Sequence, residues 1–130
     1  MKNIKISRQA NASYRTVKHK IDANVSVYEF EENGLHVIYS PSLDLYGYGK
    51  TLKQAEKSLD VSLNDFINYT SVKNTIFNEL KKLGWSMRKS KTRPSIKPPS
   101  MEHLMEESDL SRILQLPSYR KTSRELAIAI

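Results

Sequence analysis

From Val25 to Tyr69 the apolar positions recur first at every second residue and then at every third or fourth. Val25 and Val27, with Ala23, fall on one side of an alternating run, and Ser26, Tyr28 and Phe30 fall on the other. Asn33-Gly34 follows, a pair suited to a type I′ turn because both central residues need φ > 0. Leu35 to Tyr39 is a second β-prone run, stopped by Pro41, which has no ladder donor to give. A third strand is expected over Leu43 to Tyr48, with Gly47 and Gly49 letting the chain turn tightly into the next element. The period then changes. Leu52, Ala55, Leu59, Leu63, Phe66 and Ile67 form one helical stripe, opened by Thr51 as N-cap with Gln54 at capping-box spacing. Such a helix, about eighteen residues long, spans roughly 27 Å and covers one face of a small sheet. The prediction is a β-β-β-α unit.

Beyond it, Thr70 or Ser71 is expected to cap a second helix with Ile76, Phe77, Leu80 and Leu83 as its stripe. Gly84 stands where a left-handed C′ residue is wanted, so Trp85 would close a Schellman motif against Leu80 as a core residue. An exposed stacking platform is the alternative for this lone tryptophan. Trp85 to Met87 has the makings of a fourth short strand. Arg88 to Pro99 then reads as a basic, proline-containing linker that can form neither a helix nor a central strand. Ser100 caps a helix from Met101 to about Glu107, and Ser108-Asp109 opens another that ends before Pro117. Leu104, Met105, Leu110, Ile113, Leu114 and Leu116 give these two an apolar side. The alternating run 124–130 closes the chain as an edge strand, with Leu126, Ile128 and Ile130 on its bulky side. The expected class is therefore α+β: a three- to four-stranded antiparallel sheet with a packed helix, short helices and a C-terminal strand. In chain order it divides into a basic flexible arm (1–20), a core (21–87), the linker (88–99) and a tail (100–130).

Tyr39-Ser-Pro41-x-Leu43, the turn ending at Gly49-x-Thr51 and Ala55 in the opening of the helix resemble the HicB-like antitoxin module over about residues 25–68. The family's Pro-Gly after that leucine is replaced here by Asp44-Leu45. The resemblance implies a partial RNase H-type fold and a protein that binds and silences a HicA-type ribonuclease toxin.

Composition changes the picture at the chain ends. The 130 residues carry a formal charge of +7, with Lys2, Lys5, Arg8, Arg15, Lys18 and Lys20 in an opening stretch that has no acid. That stretch is either a solvated leader or a basic arm for nucleic acid, and Ile4-Lys5-Ile6 leaves room in it for an extra edge strand. Arg88, Lys89, Lys91, Arg93 and Lys97 make the linker a second nucleic-acid candidate. Cysteine is absent, which excludes disulfides and thiolate chemistry, and no apolar run reaches the ~18 residues of a membrane span. The N-terminus has no apolar signal region, and the expected location is cytoplasmic.

Candidate chemistry is sparse. His19, His36 and His103 have no metal-ligand spacing to one another, and Glu56 and Asp60 lie among lysines on the polar side of the long helix. Asp44, Glu56, Asp60 and Asp65 are the acids that a nuclease of RNase H type would have to converge on a metal. Gly47-x-Gly49-Lys50-Thr51 misses the phosphate-loop spacing, because Asp44 stands where the first glycine belongs. No enzyme, cofactor or metal is expected. A helix layer on one side only leaves the other sheet face to an interface, for which Tyr39, Tyr46 and Tyr48 are the candidates, joined by Leu126, Ile128 and Ile130 at the sheet edge. Two readings follow. One is a non-catalytic, self-associating module that engages a small HicA-type toxin; the other is a nucleic-acid-binding protein using 1–20 and 88–97.

Overall fold

The computed structural model describes residues 20–73, 75–88 and 95–129, with the side chains of 20, 21, 71, 128 and 129 left aside. The basic arm with its Ile4-Lys5-Ile6 segment and His19 lies outside the described residues, as does the centre of the linker.

Alternation in the first strand decides the architecture. β1 (Lys20–Glu32) sends Ala23, Val25 and Val27 into one apolar cluster and Tyr28 and Phe30 into a second on its opposite face. The Asn33-Gly34 turn has φ of 54° and 78°. It returns the chain into β2 (Leu35–Ser40), pairing Glu32 with Leu35 and Tyr28 with Tyr39. β3 (Leu45–Gly49) follows, paired with β2 from Ser40↔Leu45 to His36↔Gly49. It starts later than the pattern predicts, because residues 41–44 form a turn closed by Leu43 N–H to Ser40 O, with Asp44 at φ 53°.

α1 (Leu52–Val72) packs Ala55, Leu59 and Leu63 onto the first cluster. Its cap is the expected one: Gln54 N–H donates to Thr51 Oγ1 at 3.2 Å, while Gln54 Oε1 accepts from Lys50 N–H at 2.9 Å. The two glycines before it do not serve the turn. A Cβ on Gly47 would lie 2.4 Å from Ala55 O, and one on Gly49 would lie 2.5 Å from Ala55 N. Neither has positive φ, so both are there to let helix backbone lie against strand backbone. α1 also runs through the predicted caps of the next helix: the Thr70 hydroxyl donates back to Phe66 O at 2.8 Å, one turn earlier, instead of accepting from an N–H ahead of it. Thr75 precedes α2 (Ile76–Lys82) without a side-chain cap. Its far end is the expected Schellman motif, with Gly84 at φ 100° and Trp85 N–H donating to Leu80 O at 3.0 Å.

Trp85 is buried in the first cluster, and its indole N–H donates to Ser42 O at 2.7 Å. The stacking-platform alternative is thereby set aside. The strand that follows, β4 (Ser86–Arg88), does not join the main sheet. It pairs with β5 (Ser95–Lys97), so part of the expected linker is a two-stranded ribbon whose Ile96 packs on the core.

The chain after the linker completes the domain. Ser100 caps α3 (Met101–Glu107) by accepting from His103 N–H at 3.1 Å. Ser108 Oγ accepts from Leu110 N–H at the start of α4 (Leu110–Leu114), and Leu104, Leu110 and Ile113 enter the second cluster beside Tyr28, Phe30, Val37 and Tyr39. At roughly 1.5–3 kcal/mol for each fully buried aliphatic side chain, these three hold α3 and α4 firmly on the sheet. The second sheet face, expected to be left for an interface, is thus covered over Tyr28, Phe30, Val37 and Tyr39 and stays exposed at Asn24, Lys121, Ser123 and Glu125. β6 (Arg120–Ala129) then pairs antiparallel with β1 of its own chain, from Lys20↔Ala129 to Glu29↔Arg120. The result is an α+β fold with a four-stranded antiparallel sheet in the order β3-β2-β1-β6.

Candidate functional site

The three interface tyrosines share a sheet face because they alternate on paired strands, Tyr39 opposite Tyr46 and Tyr48 two residues on. Their rings stack in a ladder, with centroids 4.3 Å apart for Tyr39–Tyr46 and 5.7 Å for Tyr46–Tyr48. Exposure rises along it from 0% at Tyr39 to 51% at Tyr48. Tyr39 is therefore corrected from interface to core, since α3 and α4 lie over it. Tyr48, at the outer margin on β3, keeps an open ring.

Polar atoms fasten the inner end of the ladder. Tyr39 Oη donates to Asp44 Oδ1 at 2.7 Å and accepts from Asp109 N–H at 3.3 Å. Tyr46 Oη donates to Asp109 Oδ2 at 2.7 Å, and Arg112 bridges Asp109 and Glu32. Burial, and next the bond to Asp44, push the Tyr39 phenol up to about 12. Burial and the Asp109 carboxylate raise Tyr46 as well, whereas the Arg112 guanidinium holds Asp109 below the usual carboxylate range. These shifts all favour the protonation states of neutral pH, in which phenols donate and the carboxylates accept. The network belongs to the attachment of α4. Sequence reasoning missed it because Tyr46 and Asp109 stand 63 residues apart.

The acids that a nuclease would need do not converge. Asp44 is taken by Tyr39 and Asp60 pairs with Arg124. Among the described residues no group of three or more His, Cys, Asp and Glu could hold a metal ion. His36 lines a cleft of about 490 Å³ with Glu29, Glu31, Leu52, Tyr119 and Arg120, and His103 packs its imidazole where a Gly84 Cβ would be.

The β6 candidates separate. Leu126 is buried in the first cluster opposite Ala23, which removes it from any exposed interface. Ile128 pairs through its backbone with Ile21, and Ile130 lies outside the described residues. Of the basic candidates, Arg88 and Lys97 are exposed on the β4–β5 ribbon, while Lys89, Lys91 and Arg93 lie outside the described residues. Charge is nevertheless segregated along the sequence. Residues 1–19 and 89–94 hold eight of the 21 lysines and arginines and none of the 14 acids. The rest of the chain sets 13 bases against those 14 acids and is nearly neutral. No described helix is long and apolar enough to cross a membrane. Comparison with protein-family models, curated proteins and solved structures returns no match.

Proposed function

We propose that this chain is a non-catalytic protein-interaction module of HicB-like type, which self-associates and neutralises a small HicA-type ribonuclease toxin in the cytoplasm. The observation that carries the reading is the β-β-β-α unit of residues 20–72, the fold element that the resemblance implies. Within it, Gly47, Gly49 and Ala55, which belong to or adjoin the resembling motif, let strand and helix approach closely. A near-neutral body with two sheet margins suits protein recognition better than phosphate binding. Co-expression with a HicA-type toxin encoded beside this chain should restore growth and yield a complex on pull-down. Unrelieved toxicity together with no complex would overturn the assignment.

A second reading is favoured by the charge segregation, since dense cations in two short segments suffice for phosphate binding. In it, the segments 1–20 and 88–97 bind nucleic acid while the folded body holds a protein partner. Replacing Arg88, Lys89, Lys91, Arg93 and Lys97 by Ser should flatten the dependence of log K on log salt, by about 0.9 for each duplex phosphate no longer neutralised. Unchanged affinity and slope would leave the linker charge without this role.

A further inference from the structure

Among the described residues the main sheet ends on one side in β3, five residues long, and on the other in β6, ten residues long. Ten residues at roughly 3.4 Å each give an edge of about 34 Å with one row of backbone donors and acceptors turned away from β1. We propose that a second copy of this chain pairs with this edge, β6 against β6, making one continuous eight-stranded antiparallel sheet. This deepens the self-association half of the reading above and is independent of the toxin half.

Charge fixes the occupant and the register. A two-fold axis normal to the sheet sets each residue opposite one from the same face, so the pairing must be centred on a residue. Centring on Arg124 puts two arginines face to face, and centring on Glu125 puts two glutamates face to face. Centring on Thr122 opposes Arg120 to Arg124, and centring on Leu126 sets Glu125 against Ala127 and gives Lys121 no residue of the strand to face. Centring on Ser123 instead brings Lys121 opposite Glu125 of the second copy, and by symmetry Glu125 opposite Lys121. Both residues are exposed, on the face away from α1, and their neighbours across β1 are the uncharged Tyr28 and Asn24. Neither makes an ion pair among the described residues. On the α1 face, Arg124 falls opposite Thr122 of the second copy and keeps Asp60, while Arg120 falls opposite Leu126 and keeps Glu29. A homodimer thus pairs two charges that are exposed and make no ion pair among the described residues.

The test is a charge swap on the full chain, read by sedimentation equilibrium. Lys121→Glu and Glu125→Lys should each raise the dimer dissociation constant about tenfold or more, because each turns two attractive pairs into two repulsive ones. The double swap should return it to within about threefold of the parent, since the pairs are rebuilt with reversed polarity. Ser123→Cys, the chain's only thiol, should oxidise to a covalent dimer, because residues on the two-fold lie within disulfide reach. Thr122→Cys should not, its symmetry mate being displaced by two residues. A double swap no better than the single ones, or a monomer throughout the micromolar range with no Ser123→Cys dimer, overturns the proposal. So does a dimer that forms only after residues 1–19 are removed, which would give the edge to the chain's own N-terminal segment.

Discussion

Trp85→Ala should cost about 3–5 kcal/mol, the range for truncating a buried large aromatic side chain, and so a large part of the ~5–15 kcal/mol that holds a small domain folded. The residue is 3% exposed and sits where α2, the Ser42 turn and the first apolar cluster meet. Removing it leaves a cavity in the first cluster, and it leaves Ser42 O without its 2.7 Å donor. Trp85→Phe refills part of the cavity but not the bond, and should cost clearly less. Urea unfolding followed by far-UV circular dichroism checks both, because Trp85→Ala deletes the only tryptophan and with it the fluorescence probe. An alanine variant within about 1 kcal/mol of the parent would show that Trp85 is not the keystone its burial suggests.

What could be read from the chain beforehand was what short-range rules govern. The Asn33-Gly34 turn, the Thr51 cap, the Gly84 Schellman end and the Ser100 cap each depend on a few adjacent residues, and each formed where it was expected. Alternation in β1 likewise assigned Val25 and Val27 to one face and Tyr28 and Phe30 to the other. Thr70 misled because a threonine hydroxyl that can cap a helix can equally bond back to the carbonyl four residues earlier.

The larger errors were of long range. The stripe of Leu104, Leu110 and Ile113 is visible in the sequence, but that it covers Tyr39 is decided by where the chain returns after the linker. The final strand was foreseen as an edge strand; that it lies along β1 of the same chain follows from a register between residues about a hundred positions apart. Its start at Arg120 was missed because Arg120, Lys121 and Arg124 mask the alternation, although Arg120 pairs with Glu29 and Arg124 with Asp60. The candidate surfaces shifted accordingly: the inner tyrosine became core, and the exposed charges of β6 became the feature with chemistry to offer.

Gly47→Val is the second substitution with a large expected effect, and its logic is unlike that of a cavity. The atoms that a Cβ at residue 47 would meet at 2.4 and 2.6 Å are Ala55 O and Leu59 N, both helix backbone, so no rotamer change relieves the clash. The strand or the whole of α1 must move, which separates Leu59 from Val25 and Val27 in the first cluster. Overpacking costs about 1–3 kcal/mol in ordinary cores, and a branched side chain against backbone belongs at or above the top of that range. Gly47→Ala should fall lower, its clash offset in part by the ~0.4–1 kcal/mol gained from a less flexible unfolded chain. Gly34→Ala is the informative contrast. Its Cβ meets nothing within 4 Å, and its φ of 78° leaves only backbone strain, about 1–2 kcal/mol for a left-handed residue. The expected order of stability in urea is therefore parent, then Gly34→Ala, with Gly47→Val lowest. If Gly47→Val unfolds at the same urea concentration as Gly34→Ala, the close seat of α1 on β3 is not what holds the helix to the sheet.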